Sequence, residues 1–135
     1  MGRKRKVIHL ENIELTRAGS KGKSIGNTED GRVVMVTQAV PGDVVNVRVT
    51  KKKKSYLEGV PTGFVSLSPD RVAPKCEHFG VCGGCKWQNV DYAKQLEHKQ
   101  SEVENNLRRI GHVEIETLLP IEASEDIYFY RNKLE

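Results

Sequence analysis

All three cysteines of the 135-residue chain fall within ten positions, in the run Cys76-Glu77-His78-Phe79-Gly80-Val81-Cys82-Gly83-Gly84-Cys85. Thiolates are preferred ligands of soft metal ions, and two adjacent glycines let the backbone curl until sulfurs converge on one point. The pattern therefore predicts a metal or cluster site on Cys76, Cys82 and Cys85. A disulfide framework fits badly: three is an odd number, no apolar run of signal-peptide type is present, and the Cys82–Cys85 spacing suits chelation better than a staple. The expected compartment is the reducing cytosol. Three inert, buried cysteines are the plain alternative, and such tight clustering argues against it. Two centres suit the spacing. Zinc would want four closed ligands, with His78 completing a Cys3His set. A four-iron cluster would want four thiolates, three from a compact run and one from a distant segment. Spacing alone does not separate the two.

A second set of residues could bind phosphate. Lys21, Lys23, Arg32, Arg48 and the tetrad Lys51, Lys52, Lys53 and Lys54 precede the cysteines. Residues 1–75 hold 15 Lys+Arg against 7 Asp+Glu, a net +8, while residues 76–135 hold 7 against 11, a net -4. A basic half joined to an acidic half suggests two structural units, the basic one facing a polyanion. Lysines act as point charges that follow a backbone without reading its sequence. The bland reading of the tetrad is a solvated strand end that discourages edge pairing. Base stacking looks secondary, since Tyr56 and Phe64 are the only aromatic residues in that half and small barrels tend to bury such side chains. His9, His98 and His112 read as ordinary surface or edge residues.

The elements that must position these groups follow from pattern. Residues 1–6, with Arg3, Lys4, Arg5 and Lys6, read as a basic, solvated tail. Residues 7–69 read as all-β. Ile8 and Leu10 alternate with polar neighbours, and Ile13 and Leu15 resume one residue out of phase, predicting a bulge near Asn12. Residues 18–26 read as a mobile, lysine-bearing loop, 27–31 as a hairpin turn, and Val33–Val36 as a strand. After the Pro41-Gly42-Asp43 turn, Val45, Val47 and Val49 alternate with Asn46, Arg48 and Thr50. Tyr56–Val60 and Phe64–Leu67 read as a last strand pair broken at Pro61 and Gly63. About five short strands in sixty residues fit a small closed barrel of the OB type.

Residues 70–135 form the second expected unit. Ser68–Pro74 reads as a proline-bounded linker into the cysteine loop, and Asp91 can cap a helix running to about Ile110 and ending at Gly111. Leu96, Val103, Leu107 and Ile110 share one face at helical spacing, which reads as core-facing. Residues 113–119 read as extended, and Ile127–Tyr130 as the start of another strand. With 37% hydrophobic and 30% charged residues and a mean hydropathy of -0.54, no stretch is apolar enough to span a bilayer.

The run CEHFGVCGGC, with Trp87-Gln88 and a helix opening Tyr92…Gln95-Leu96, resembles the iron–sulfur segment of the RNA (uracil-5-)-methyltransferases, especially their ribosomal-RNA branch. Residues 7–69 resemble a TRAM domain, the RNA-binding barrel that opens many of these enzymes, and Tyr130-Arg131-Asn132-Lys133 is similar to a run that opens the strands of their central and catalytic regions. The resemblance implies a [4Fe-4S] cluster on Cys76, Cys82 and Cys85, with a structural or recognitional role and a fourth cysteine well downstream that this chain does not contain. It implies S-adenosylmethionine as methyl donor and attack on uracil by a cysteine thiolate, and it favours 23S ribosomal RNA over transfer RNA as the substrate of a monomer, with transfer RNA kept open because cluster-bearing relatives methylate it too. A thiolate committed to iron cannot also attack carbon. The doubly wound methyl-donor domain has no counterpart in these residues, so the 135-residue chain alone is expected to be inactive. A zinc-stabilised nucleic-acid-binding module is the alternative. Redox-active cysteines are a weaker one, lacking a thioredoxin-like setting.

Overall fold

Strict alternation of valines over residues 45–50 forces one face of a strand inward, and a barrel is built around it. The computed structural model describes residues 6–131, which fall into two compact units divided between Arg71 and Val72. Arg3, Lys4 and Arg5 of the expected basic tail lie outside the described residues, as do Asn132 and Lys133. The first unit contains β1 (His9–Ala18), β2 (Ser24–Asn27), β3 (Val33–Val36), β4 (Val44–Lys52) and β5 (Tyr56–Ser66). They close in the order β1-β2-β3-β5-β4, with β3 and β5 parallel and the other neighbours antiparallel. Closure leaves no free edge. The interior is filled by Ile13, Leu15, Val34, Val36, Ala39, Val45, Val47 and Leu57. Fully burying each large aliphatic side chain contributes about 1.5–3 kcal/mol.

The bulge stands where the phase shift predicted it. Asn12 has φ +53°, the β1–β4 register slips between Leu10 and Ile13, and the Asn12 N–H donates to Asn46 Oδ1 at 3.0 Å. Two readings are corrected. Residues 24–27 are a strand rather than loop, because Ser24 is buried with its hydroxyl donating to the Ala39 carbonyl at 2.8 Å. Gly26 there lies so close to β1 that a Cβ would sit 2.4 Å from the Glu14 carbonyl oxygen. Likewise β5 runs unbroken through Pro61 and Gly63, with the β4–β5 register slipping between Asn46 and Val47 to accommodate them.

The presumed linker at 68–74 is also tied down at its start. Asp43, fully buried after the Gly42 turn (φ +100°), accepts hydrogen bonds from the Val40 N–H at 2.8 Å and the Ser68 N–H at 2.7 Å. Arg71 adds a two-point grip, Nε to Oδ1 at 2.9 Å and Nη2 to Oδ2 at 2.5 Å. Burial pushes the Asp43 carboxyl up, but the Arg71 hydrogen bond, the two N–H donors and the guanidinium charge outweigh it and hold the group below its ordinary value. A buried carboxylate of this kind is tolerated only because it is fully paired.

The second unit holds α1 (Tyr92–Asn105), which continues as a wider turn over Asn106–Ile110 and stops at Gly111, whose N–H donates to the Asn106 carbonyl at 2.8 Å. Asp91 stands at the N-cap, yet its side chain makes no capping bond there. Gln95 instead fixes the first turn, donating through Nε2 to the Trp87 and Val90 carbonyls, both at 2.9 Å. The helix stripe is not core-facing as expected: Val103 is 51% and Ile110 75% exposed, and no helix residue is buried. Residues 111–131 form no strand, because a strand needs a ladder partner and none faces them among the described residues. They are held by side chains: the Gln100 amide carbonyl accepts from the Ile121 N–H at 2.9 Å, and the Tyr92 hydroxyl accepts from the Ser124 N–H at 2.8 Å.

Candidate nucleic-acid interface and cysteine loop

The antiparallel β4–β5 hairpin carries the lysine tetrad at its tip. Lys51 and Lys52 end β4, Lys53 and Lys54 enter the turn, and the Lys53 N–H closes it on the Tyr56 carbonyl at 2.9 Å. All four side chains are exposed, and none enters an ion pair among the described residues. Parallel pairing aligns Val33 with Tyr56, so Arg32, one residue before β3, falls at the same end of the barrel as the tetrad. Arg32 is ion-paired with Asp30 at 3.1 Å. The Thr28 hydroxyl and, less strongly, Arg32 hold the Asp30 carboxyl below its ordinary value.

The other predicted cations sit elsewhere on the barrel. Lys23 Nζ reaches Glu58 Oε1 at 3.2 Å, and Glu58 stands opposite Lys51 in the β4–β5 register, so one carboxylate is set among the lysines. Exposed Arg48 lies between His9 of β1 and Val60 of β5, and Lys21 occupies a left-handed turn (φ +58°) before β2. The structure thus gathers Arg32 and the tetrad at one end and sets Lys23 by Lys51 across Glu58. Among the described residues no hydrogen bond or ion pair joins Lys21 or Arg48 to them.

Phe64 departs from the burial expected of it. The ring is 45% exposed, and the Arg71 guanidinium lies over it at 5.1 Å from the centroid. Sequence reasoning missed this pair and the buried Asp43 behind it, because 28 residues separate Asp43 from Arg71 and no local pattern links them.

In the second unit, Cys76, Cys82 and Cys85 are free thiols and all exposed. The loop is made of tight turns: the Cys76 carbonyl accepts from the Phe79 N–H at 3.2 Å, and the His78 carbonyl from the Cys82 N–H at 2.9 Å, with Gly80 at φ +92°. Gln88 Oε1 accepts from the Cys76 N–H at 2.6 Å. A Cβ at Gly80 or Gly83 would meet nothing within 4 Å, so the loop is open at these two positions. Among the described residues no three His, Cys, Asp or Glu side chains are drawn together as a ligand set, and His78 does not join the cysteines. The donor chemistry fits a thiophilic centre, three free thiols within ten residues. Lys75, beside the loop, places Nζ 4.9 Å from the Tyr128 ring and 4.5 Å from the Phe129 ring, a cation–π contact that sequence reading did not anticipate.

The TRAM domain family model matches residues 4–62. The chain is 48% identical over 116 residues to an RNA methyltransferase of Bacteroides thetaiotaomicron, covering 86% of this chain and 25% of that protein. It is 41% identical over 134 residues to an RNA methyltransferase of Chlorobaculum tepidum, covering 98% and 27%. It is 38% identical over 113 residues to the 23S rRNA (uracil(1939)-C(5))-methyltransferase RlmD of Xanthomonas campestris pv. campestris, covering 84% and 25%. The chain thus spans about a quarter of the length of these relatives. A solved structure, the tRNA (uracil-54, C5)-methyltransferase of Pyrococcus abyssi with S-adenosyl-L-homocysteine, aligns at 26% identity and a TM-score of 0.39 over 80% of this chain and 22% of that one. No helix among the described residues is long and apolar enough to cross a membrane.

Proposed function

We propose, from the premise that this chain carries a TRAM domain and is a homologue of RNA methyltransferases over most of its length, that its barrel grips RNA for an S-adenosylmethionine-dependent uracil-C5 methyltransferase acting on 23S ribosomal RNA. The observation that carries this reading is the exposed tetrad Lys51–Lys54, free of ion pairs among the described residues, at the tip of a closed OB-like barrel. Such a cluster binds phosphates by counterion release, so affinity should fall steeply with salt. The test is a salt titration of binding to a fragment of 23S ribosomal RNA, with transfer RNA as competitor, for the wild type and for a variant with all four lysines changed to alanine. Binding that ignores both salt and the substitutions would end the proposal.

Cys76, Cys82 and Cys85 would hold a [4Fe-4S] cluster, with the fourth ligand outside this chain. When bound, the cluster would cross-link the loop and leave the methyl transfer to other groups. The three thiols belong to that centre and not to attack on uracil. Since the described residues do not present three ligands together, loading would draw the three sulfurs toward one point. Because His78 lies in the same turn, zinc on Cys76, His78, Cys82 and Cys85 is the second reading. Anaerobic protein with iron, sulfide and broad visible absorption supports the cluster. One colourless zinc, lost on His78→Ala, supports the other.

A further inference from the structure

We propose that Phe64, with Arg71 laid over it, is a stacking platform for one unpaired nucleobase of the bound RNA; this rests on the barrel's being an RNA-binding surface. The ring stands near the end of β5 and keeps 45% of its surface in contact with solvent although its register partner Val45 is fully buried. Val65 and Leu67 beside it in sequence are 55% and 62% exposed, so the apolar character is not confined to one side chain. One face of the ring is taken by the Arg71 guanidinium at 5.1 Å. That guanidinium is itself fixed by two hydrogen bonds to Asp43, whose side chain is fully buried and further held by two backbone N–H groups. A planar cation and an aromatic ring are thereby locked together before any ligand arrives, which is the arrangement that favours stacking of a base at low entropic cost.

Charge and distance point to RNA as the occupant. Lys52 pairs with Leu57 and Val45 with Phe64 on the same two strands, so the lysine tip and the ring lie about 23 Å apart along the ladder at ~3.3 Å per residue. An OB-type barrel spans about 4–16 nucleotides, enough for one strand to place phosphates at the tip and a base at Phe64. Exposed cations at one end of a hairpin and an exposed ring at the other are the two kinds of group that a single nucleic-acid strand engages, its phosphates with the first and a base with the second.

The discriminating variant is Phe64→Leu in the full chain, which keeps an apolar side chain of similar size and removes the aromatic plane. Binding to short oligouridylate and to an abasic strand of the same length is measured by fluorescence anisotropy over a salt series, with thermal melting as the folding control. Phe64→Leu should weaken oligouridylate binding about 5- to 100-fold, leave the salt slope and the abasic affinity unchanged, and be rescued by Phe64→Trp. Equal affinity of Phe64→Leu and wild type overturns the platform while leaving RNA binding by the barrel intact. So does a loss that appears equally on the abasic strand, or one explained by a wild-type dimer that Phe64→Leu dissociates. A wild type that binds neither strand overturns the underlying RNA-binding reading as well.

Discussion

Arg71 and Asp43, 28 residues apart in sequence, meet in a two-point ion pair of 2.9 and 2.5 Å, with the carboxylate wholly inside the barrel wall. This pair fastens the segment after β5 to the turn before β4. Removing one partner of a buried pair strands the other charge away from water, which costs about 3–5 kcal/mol. Arg71→Ala should therefore lower the unfolding free energy of the barrel, read from urea titrations, by that amount, and Arg71→Lys, which cannot reproduce the fork, should recover only part of it. A midpoint unchanged by Arg71→Ala would show that the pair is ornamental.

The same pair fixes the response to acid. Burial raises the Asp43 carboxyl but its hydrogen bonds and the Arg71 charge lower it further, so the folded value lies below the ordinary 3.8. A depressed folded value contributes stability that is present above 3.8 and is lost as pH falls through the folded value. In Arg71→Ala the guanidinium's hydrogen bond and charge are gone while burial and the Val40 and Ser68 N–H donors remain, so the depression shrinks and acidification, which removes the wild type's advantage, should reduce the cost of the substitution. Urea titrations at neutral pH and near pH 3 for both proteins check this.

Glu58 places one negative charge between Lys23 at 3.2 Å and the register position of Lys51. The ion pair is partly exposed and stabilises little, while its carboxylate opposes every phosphate that approaches. Glu58→Gln should tighten RNA binding and steepen the slope of log affinity against log salt by up to about 0.7, with melting temperature nearly unchanged. Weaker binding would mean that Glu58 orients the lysines instead of restraining them.

The tetrad should account for most of the salt dependence. Each phosphate neutralised on a single strand contributes about 0.7 to the slope, so changing Lys51, Lys52, Lys53 and Lys54 to alanine should flatten it by roughly 3. The side chains are exposed, and the melting temperature should hold.

Gly26 tests the closeness of β1 and β2. A Cβ there would lie 2.4 Å from the Glu14 carbonyl oxygen and 3.0 Å from Ile13, both parts of the barrel wall. Gly26→Ala should cost about 1–3 kcal/mol in denaturant unfolding, and a neutral result would show that the strands can part without loss.

Much of the barrel was legible because period-two patterns speak for themselves: Val45 and Val47 point inward as their alternation demands, and the phase slip before Ile13 marks a real bulge at Asn12. Ser24–Asn27 was not legible, since Ser-Ile-Gly-Asn has the composition of a turn and becomes a strand only by pairing with β1 and β3 on its two sides. The α1 stripe was legible as a stripe, but what covers Val103 and Ile110 is not written in the helix. Phe64 was misjudged for a related reason: residue type gives the tendency to be buried, while exposure is decided by where β5 ends and by Arg71 arriving from later in the chain.

The insertion of β5 between β3 and β4 has a temporal consequence. As the chain leaves the ribosome, β1 to β4 emerge first, and β3 and β4 keep a gap that only residues 56–66 can fill. Until Ser66 is clear of the exit tunnel, those two strands offer unpaired backbone to any neighbour, so this is the interval in which a nascent copy is most exposed to aggregation and to chaperones.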